Sequence, residues 1–184
     1  MKCGSGKGIP AGSAEGGFTL FDVLVTIALI AVVSSFALPE VRAWNRAHRF
    51  KAEARELFSH LQLARLEAIK RNGFCTVVFN ATVGEDRFDY IVFVDKNQDR
   101  RYAVGEKLLV RASFETAGFD LSRGSGDGVT FINNAAGEPA VAWNHKGLPV
   151  TENHKTCAGS VFLKNESGRT QTVVTSWTGA IRVE

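Results

Sequence analysis

The stretch GFTLFDVLVTIALIAVVSSFALPE, residues 17–40, decides the fold of this chain. Residues 18–38 within it contain one ionisable side chain, that of Asp22. An α-helix needs about 20 apolar residues to cross a bilayer. A secretory signal has a shorter apolar core of about 7–15 residues and ends at a small-residue cleavage site, whereas Pro39 and Glu40 follow here. The sequence therefore predicts a membrane-spanning helix over residues 18–38.

The segments on either side of this predicted span differ from it. Residues 1–17 are polar and rich in Gly, which predicts a flexible leader. Residues 39–72 continue the helical pattern, with apolar and small residues at spacings of three and four on one face, namely Phe50, Ala54, Leu57, Phe58, Leu61, Ala64 and Ala68. Asn72 and Gly73 form a typical helix cap, while Pro39 is expected to kink the helix without ending it. One helix is thus predicted from residue 18 to residue 71.

After Gly73 the pattern changes to short apolar runs separated by Gly, Asn and Asp turns. These runs predict strands at residues 75–80, 88–95, 107–114, 128–133, 140–143, 159–164, 170–176 and 180–183. A chain of 184 residues with 45% hydrophobic residues fits one globular domain plus an appendage, and its net charge of +3 does not by itself indicate a nucleic-acid partner. We predict an α+β fold, in which a long N-terminal helix, membrane-spanning in its first half and amphipathic in its second, packs on an antiparallel β-sheet head at residues 73–184.

The junction between Gly17 and Phe18 carries a resemblance to a known family. A polar leader that ends in Gly, the sequence Phe-Thr-Leu-Phe-Asp at the start of an apolar helix, and Pro39 at the helix exit are similar to the class III signal of type IV pilins and pseudopilins. The resemblance implies that a prepilin peptidase cuts after Gly17 and methylates the new amino terminus at Phe18. It also implies that the apolar helix later enters the core of a filament.

Asp22 stands where the family usually has Glu, and the resemblance implies a role in assembly. The family's carboxylate pairs with the charged amino terminus of a neighbouring subunit, and aspartate is one methylene shorter. An unpaired carboxylate in a membrane span costs about 2.5–3.5 kcal/mol, so a partner is expected. The alternative is that Asp22 lies close enough to the helix start to reach the lipid headgroups.

Beyond the leader, the order of segments resembles the GspH/FimT group of minor pseudopilins. The segments are VFVDKNQDRRYAVGEKLL at 92–109, WNHKGLP at 143–149 and TVVTSWTGAIRV at 172–183. The closing segment of that group commonly contains two arginines, which have been linked with DNA binding in FimT-type proteins. This chain has Ala180 and Arg182 at these positions, so Arg182 is the one candidate DNA contact. Whether nucleic acid is a partner stays open.

One loop has the oxygen-ligand spacing of a calcium site. Asp95, Asn97, Asp99 and Glu106 occupy relative positions 1, 3, 5 and 12 of an EF-hand loop. Arg100, however, stands where the sharp turn of such a loop needs Gly. The sequence therefore favours an Asx-rich turn between two strands over a metal site, and these four residues are weak metal candidates.

The remaining reactive side chains indicate no catalytic site. Cys3 lies in the leader, whereas Cys75 and Cys157 in an exported head form either a disulfide or two buried free thiols. The four histidines have no metal-ligand spacing with the cysteines, and no nucleophile motif accompanies them. We predict a protein that is not an enzyme and that has no cofactor.

The functional prediction follows from the resemblance. We expect a minor pilin or pseudopilin, added at low copy or near the tip to a type IV pilus or a type II secretion pseudopilus. Its expected partners are the prepilin peptidase, other pilins or pseudopilins, and the inner-membrane assembly platform. The alternative is a DNA-binding minor pilin that acts as a receptor in DNA uptake.

Two lines of inference disagree about the orientation in the membrane. Positive charge on the flank of a span favours the cytoplasmic side. More basic residues follow the span than precede it, namely Arg42, Arg46, Arg49, Lys51 and Arg55. The resemblance instead implies a bacterial inner-membrane protein with a single span and a periplasmic head, and we follow the resemblance.

Overall fold

The structure is a computed structural model that describes residues 19–184, apart from the side chains of residues 36–43. The predicted leader at residues 1–17 and the processing residues Gly17 and Phe18 lie outside the described residues. The helix continues through Pro39, as expected, and the kink predicted there stays a prediction. The chain divides into two compact units, one up to Ala43 and the other Trp44–Glu184, and each is described by itself.

The long helix predicted from the sequence is confirmed as α1, Leu20–Arg71. It ends because Asn72 adopts a left-handed conformation with φ of 50°. The backbone N–H of Asn72 then donates to the Ile69 carbonyl, and that of Gly73 donates to the Ala68 carbonyl. These two bonds satisfy carbonyl groups that the end of a helix otherwise leaves unpaired.

Short strands form the rest of the described chain. In chain order they are β1 Phe74–Phe79, β2 Thr82–Val83, β3 Asp86–Arg87, β4 Tyr90–Asp95, β5 Lys107–Ala112, β6 Ala117–Phe119, β7 Ala140–Trp143, β8 Pro149–Val150, β9 Gly159–Asn165, β10 Thr170–Thr175 and β11 Ile181–Val183. One antiparallel sheet has the order β5-β4-β1-β7-β8 and a second has the order β11-β10-β9-β6. The strands β2 and β3 form a separate hairpin.

The amphipathic stripe of α1 lies in the core of the head, as the sequence predicts. Phe50, Ala54, Leu57, Leu61, Ala64 and Ala68 are all buried, and Phe58 packs against them. They share one apolar cluster with Val77, Val92 and Trp143 of the first sheet and with Val161, Leu163 and Val173 of the second. The α+β fold, with a helix packed on an antiparallel head, is therefore confirmed.

A carboxylate also ties the helix to the second sheet. Glu53 of α1 accepts hydrogen bonds from the backbone N–H of Thr116 at 2.9 Å and of Ala117 at 2.7 Å. It accepts a third from the Thr116 hydroxyl at 2.8 Å. Because charged acceptors form the stronger hydrogen bonds, these contacts hold the start of β6 against the helix.

The strand predicted at residues 128–133 is wrong. This segment makes two isolated bridges, Val129 with Val161 and Asn133 with Pro139. Val129 reaches the same edge of β9 that β6 already occupies, since Phe119 pairs with Leu163. One edge cannot hold two full strands side by side, so the segment contributes a bridge where β6 ends.

Candidate functional site

The first half of α1 exposes a continuous apolar surface. Large apolar side chains point to solvent all around the helix, with Leu20 84% and Ile30 64% exposed, together with Phe21, Val23, Leu24, Val25, Ile27, Leu29, Val32 and Val33. Folded monomers rarely expose apolar patches of this kind, and such patches mark interaction sites. Among the residues that the structure describes, no helix holds an apolar stretch of the length that crossing a membrane requires.

Asp22 lies at the start of this surface and is engaged with Thr19. Its Oδ2 atom accepts hydrogen bonds from the Thr19 backbone N–H at 3.0 Å and from the Thr19 hydroxyl at 2.8 Å. In return, the Asp22 backbone N–H donates to the Thr19 hydroxyl oxygen at 3.2 Å. This reciprocal pair is a capping box, which satisfies N–H groups at the helix N-terminus. The signal Thr-x-x-Asp is present in the sequence and indicates this cap, in addition to the assembly role and the headgroup contact considered for Asp22 above.

Two segments singled out in the sequence meet at one side chain of α1. The Arg65 Nε atom donates a hydrogen bond of 3.0 Å to the Gly147 carbonyl, in the turn between β7 and β8. Gly179, in the turn between β10 and β11, lies so close that an added methyl group would overlap the same carbonyl oxygen. The segments 143–149 and 172–183 therefore form a joint that connects the helix with both sheets.

The two turns of this joint are built by local polar contacts. Asn144 Oδ1 accepts from the backbone N–H groups of Lys146 and Leu148, and Gly147 has a φ of 71°. Gly179 has a φ of 81°, a left-handed conformation that glycine adopts at little cost. Asn144, Gly147 and Gly179 are therefore explained by the shape of these two turns.

Arg182, the candidate DNA contact, lies on β11 with its side chain exposed. Neighbouring side chains on this strand point to opposite faces, because Ile181 is buried in the core and Arg182 faces solvent. The Arg182 Nε atom donates to the Glu184 carboxylate. The guanidinium is thus paired with a neighbouring carboxylate, and Ala180 stands at the position where the group commonly carries a further arginine.

The loop that resembles a calcium site directs its oxygens at its own backbone. Asp95 accepts from the Gln98 and Arg100 backbone N–H groups and from the Thr76 hydroxyl. Glu106 accepts from the N–H groups of Lys96 and Ala103. Asn97 Nδ2 donates to Asp99, which also accepts from the Arg101 N–H. Within the described part of the chain, no group of three or more His, Cys, Asp or Glu side chains is placed to hold a metal ion.

Asp95 is the buried one among the four candidate oxygen ligands of this loop. Burial raises the pKa of its carboxyl above the ordinary value, and the hydrogen bonds from Thr76, Arg100 and Gln98 counteract that rise in part. The carboxylate acts as the nucleus around which the turn folds, as in the Asx-rich turn that the sequence favoured.

Cys75 and Cys157 are free thiols in the structure, and the sheet keeps them apart. Cys75 on β1 pairs with Trp143, Trp143 pairs with Pro149, and the Cys157 N–H donates to the Pro149 carbonyl. Three steps of about 4.8 Å separate the cysteines, whereas a disulfide needs Cα atoms within about 7 Å. Burial raises the pKa of the Cys75 thiol to about 12, which keeps it protonated and unreactive. Of the two alternatives, the structure favours free thiols.

Comparisons with known proteins agree with this architecture. Residues 53–179 match the model of a family described as type II transport protein GspH. The chain is 31% identical over 169 residues to the pilin-like protein PilA1 of Thermus thermophilus, and the alignment covers 91% of this chain and 97% of that protein. No solved structure matches the chain significantly.

Proposed function

The chain belongs to the GspH family of type II transport proteins, and we propose that it works as a minor pilin or pseudopilin that is processed and added to a filament at low copy or near the tip. Proteins of this pilin-like kind are structural subunits and not enzymes. The proposal covers both a type II secretion pseudopilus and a type IV pilus.

The exposed apolar surface of α1 carries the proposal. Its ten large apolar side chains remain in contact with water in the single chain, and burying each of them is worth about 1.5–3 kcal/mol. Helices of neighbouring pilins or pseudopilins provide an apolar partner that runs along the whole surface. Before assembly, a bilayer provides an equivalent environment.

We therefore assign residues 18–38 to an inner-membrane anchor of the precursor, on the strength of their apolar sequence. The head then lies in the periplasm, and the assembly platform takes the subunit from the membrane into the filament. Cleavage after Gly17 and methylation of Phe18 by a prepilin peptidase follow from the resemblance of the leader.

The Asp22 capping box suggests how the carboxylate changes partners. In the single chain one oxygen of Asp22, Oδ2, accepts from both the backbone N–H and the hydroxyl of Thr19. In a filament, the positive amino terminus of a neighbour forms a stronger, charge-assisted bond with the same carboxylate. Thr19 then serves as a temporary partner that keeps the carboxylate hydrogen-bonded before assembly.

Three variants test this role, each measured by intact mass of the membrane fraction and by recovery of the subunit in sheared filaments. Asp22→Ala should still be cut after Gly17 but should enter filaments poorly, because the neighbour's charge loses its partner. Asp22→Glu should assemble normally. Thr19→Val is the matched control, since it removes the two hydroxyl contacts of the capping box and leaves the carboxylate with the bond from the backbone N–H of residue 19, and it should assemble normally as well.

Two results would contradict the proposal. A mature wild-type chain that does not start at methylated Phe18 is incompatible with the assigned processing. Equal loss of assembly in Asp22→Ala and Thr19→Val would mean that Asp22 acts through the helix cap and not through a neighbour.

The alternative function, reception of DNA by a transformation pilus, has less support. It rests on Arg182, and the Glu184 carboxylate already accepts from that guanidinium. No second arginine stands beside it in the closing segment, where Ala180 occupies the corresponding position.

A further inference from the structure

The head contains an open groove with a buried arginine in its wall. The groove has a volume of about 520 Å³. Its lining includes Ile132 and Asn133 and, from the segment after β8, Glu152, Lys155 and Cys157. Arg100 completes the lining, although its side chain is only 3% exposed. A charged side chain at this depth needs partners for all of its donors.

The guanidinium of Arg100 is held in place by backbone carbonyls. Nη1 donates to Ile132 at 3.0 Å and to Ala140 at 3.1 Å, and Nη2 donates to Asn133 at 3.0 Å. In addition, Asn134 Nδ2 donates to the Arg100 carbonyl at 2.9 Å. The guanidinium is therefore fixed before any ligand arrives, which reduces the entropy that binding must overcome.

One edge of the guanidinium is left incomplete. The buried Nε atom of Arg100 has no hydrogen-bond partner in the part of the chain that the structure describes. The nearest carboxylate oxygen, Glu152 Oε2, lies 3.8 Å from Nη2, which is too long for a hydrogen bond. The three carbonyl acceptors are neutral, so the positive charge of Arg100 has no hydrogen-bonded anion.

We propose that this groove binds the carboxylate of a protein segment, which completes the Nε and Nη2 edge of Arg100. Arginine presents its donors in a planar fork that matches the two oxygens of a carboxylate. With Arg100 and Lys155 against Glu152, the groove has a net charge of +1, which suits a single negative charge better than a dianion. The segment supplies either an acidic side chain or a chain terminus.

Glu152 is the competitor in this proposal. Its side chain is 53% exposed, so it is free to turn toward water when a ligand enters. While it stays near Nη2, it repels an incoming carboxylate and occupies the space beside the fork. Removal of the Glu152 charge should therefore strengthen binding of the carboxylate, although loss of a native ion pair normally lowers the stability of a protein.

The test observes the Arg100 Nε–H signal in ¹H–¹⁵N spectra of the full chain in detergent during titration with short blocked peptides. Ac-Gly-Glu-Gly-NH₂ offers an acidic side chain, Ac-Gly-Gly-Gly-OH offers a terminal carboxylate, and Ac-Gly-Gln-Gly-NH₂ is the neutral control. One of the two acidic peptides should shift the Nε–H signal to saturation, and the neutral peptide should not. The peptide that binds identifies the source of the carboxylate.

Variants distinguish recognition by the planar guanidinium of Arg100 from attraction to positive charge in general. Glu152→Gln should tighten binding about tenfold, because the competing charge is lost. Arg100→Lys should weaken it about tenfold, since lysine keeps the charge without the fork. Arg101→Lys, at the exposed neighbouring position, is the matched control and should bind as the wild type does.

The proposal is overturned if neither acidic peptide shifts the Nε–H signal of the wild type or of Glu152→Gln. It is equally overturned if the neutral peptide produces the same shift. If Arg100→Lys does not fold, Glu152→Gln alone tests the proposal. Because the Glu152 side chain is half-exposed, its replacement should leave the fold intact. Filament assembly is not measured here, so this result is independent of the proposed function.

Discussion

Replacement of Gly179 by Ala should destabilise the head strongly, because two separate effects act at this position. Gly179 has a φ of 81°, and a left-handed conformation costs a residue with a side chain about 1–2 kcal/mol. Part of this cost is offset, since alanine lowers the entropy of the unfolded chain by about 0.4–1 kcal/mol. The conformational effect alone is thus about 1 kcal/mol.

The second effect is steric. The new methyl group would overlap the Gly147 carbonyl oxygen and would lie 3.4 Å from the Arg65 guanidinium. The carbonyl cannot withdraw freely, because it accepts from Arg65 and because the Gly147 N–H is bonded to Asn144. Forcing extra volume into a packed site costs about 1–3 kcal/mol. The free energy of unfolding should therefore fall by about 2–4 kcal/mol in total.

Gly168→Ala is the matched control for this experiment. Gly168 has a φ of 76°, and a methyl group built there meets nothing within 4 Å. It should lose about 1 kcal/mol, from the conformational effect alone. Urea unfolding of the full chain in detergent, followed by tryptophan fluorescence, measures both variants, because Trp143 is buried in the folded head. Equal losses for Gly179→Ala and Gly168→Ala would refute the steric account of the joint between the helix and the two sheets.

Two further predictions concern pH and DNA. Burial lowers the pKa of His60 below its ordinary 6.5, so the unfolded chain takes up the proton first, and the free energy of unfolding should fall as the pH drops from about 7 to about 5.5. Urea unfolding over this range should show a weaker fall for His60→Gln. An identical fall would assign the effect to other groups. The full chain in detergent should bind duplex DNA with a dissociation constant no lower than the ~10⁻⁴–10⁻⁶ M of non-specific contact, and Arg182→Ala should change this constant little. A gel-shift titration at two salt concentrations measures it. Submicromolar binding that Arg182→Ala abolishes would favour the DNA receptor.

Several features of the protein were predictable from the sequence because they depend on neighbours along the chain. The stripe from Phe50 to Ala68 repeats at the period of an α-helix, so it indicates both the helix and its buried face. The helix ends at Asn72 and Gly73 for a local reason, the left-handed cap. The capping box of Thr19 and Asp22 is equally local, and its spacing would have sufficed to predict it.

The strands were predicted less well than the helix. Short apolar runs locate β1, β4 and β9 within a few residues, but the run at 128–133 has the same appearance and forms only bridges. Its pairing depends on whether β6 has already occupied the edge of β9, and a run of residues contains no information about that edge. Strand pairing is a property of two distant segments and not of one.

The sites of the head were decided by tertiary structure alone. Arg65 and Gly147 lie 82 positions apart in the chain, and nothing near either residue predicts their hydrogen bond. From the sequence, Arg100 is expected to be an exposed cation in a polar loop. In the structure it is buried and donates to carbonyl groups 32 to 40 residues away. The cysteines appear as a pair in the sequence, and the order of β1, β7 and β8 separates them. Sequence spacing determined the helix, its cap and the family, whereas the joint, the groove and the free thiols arose when the two sheets closed over the helix.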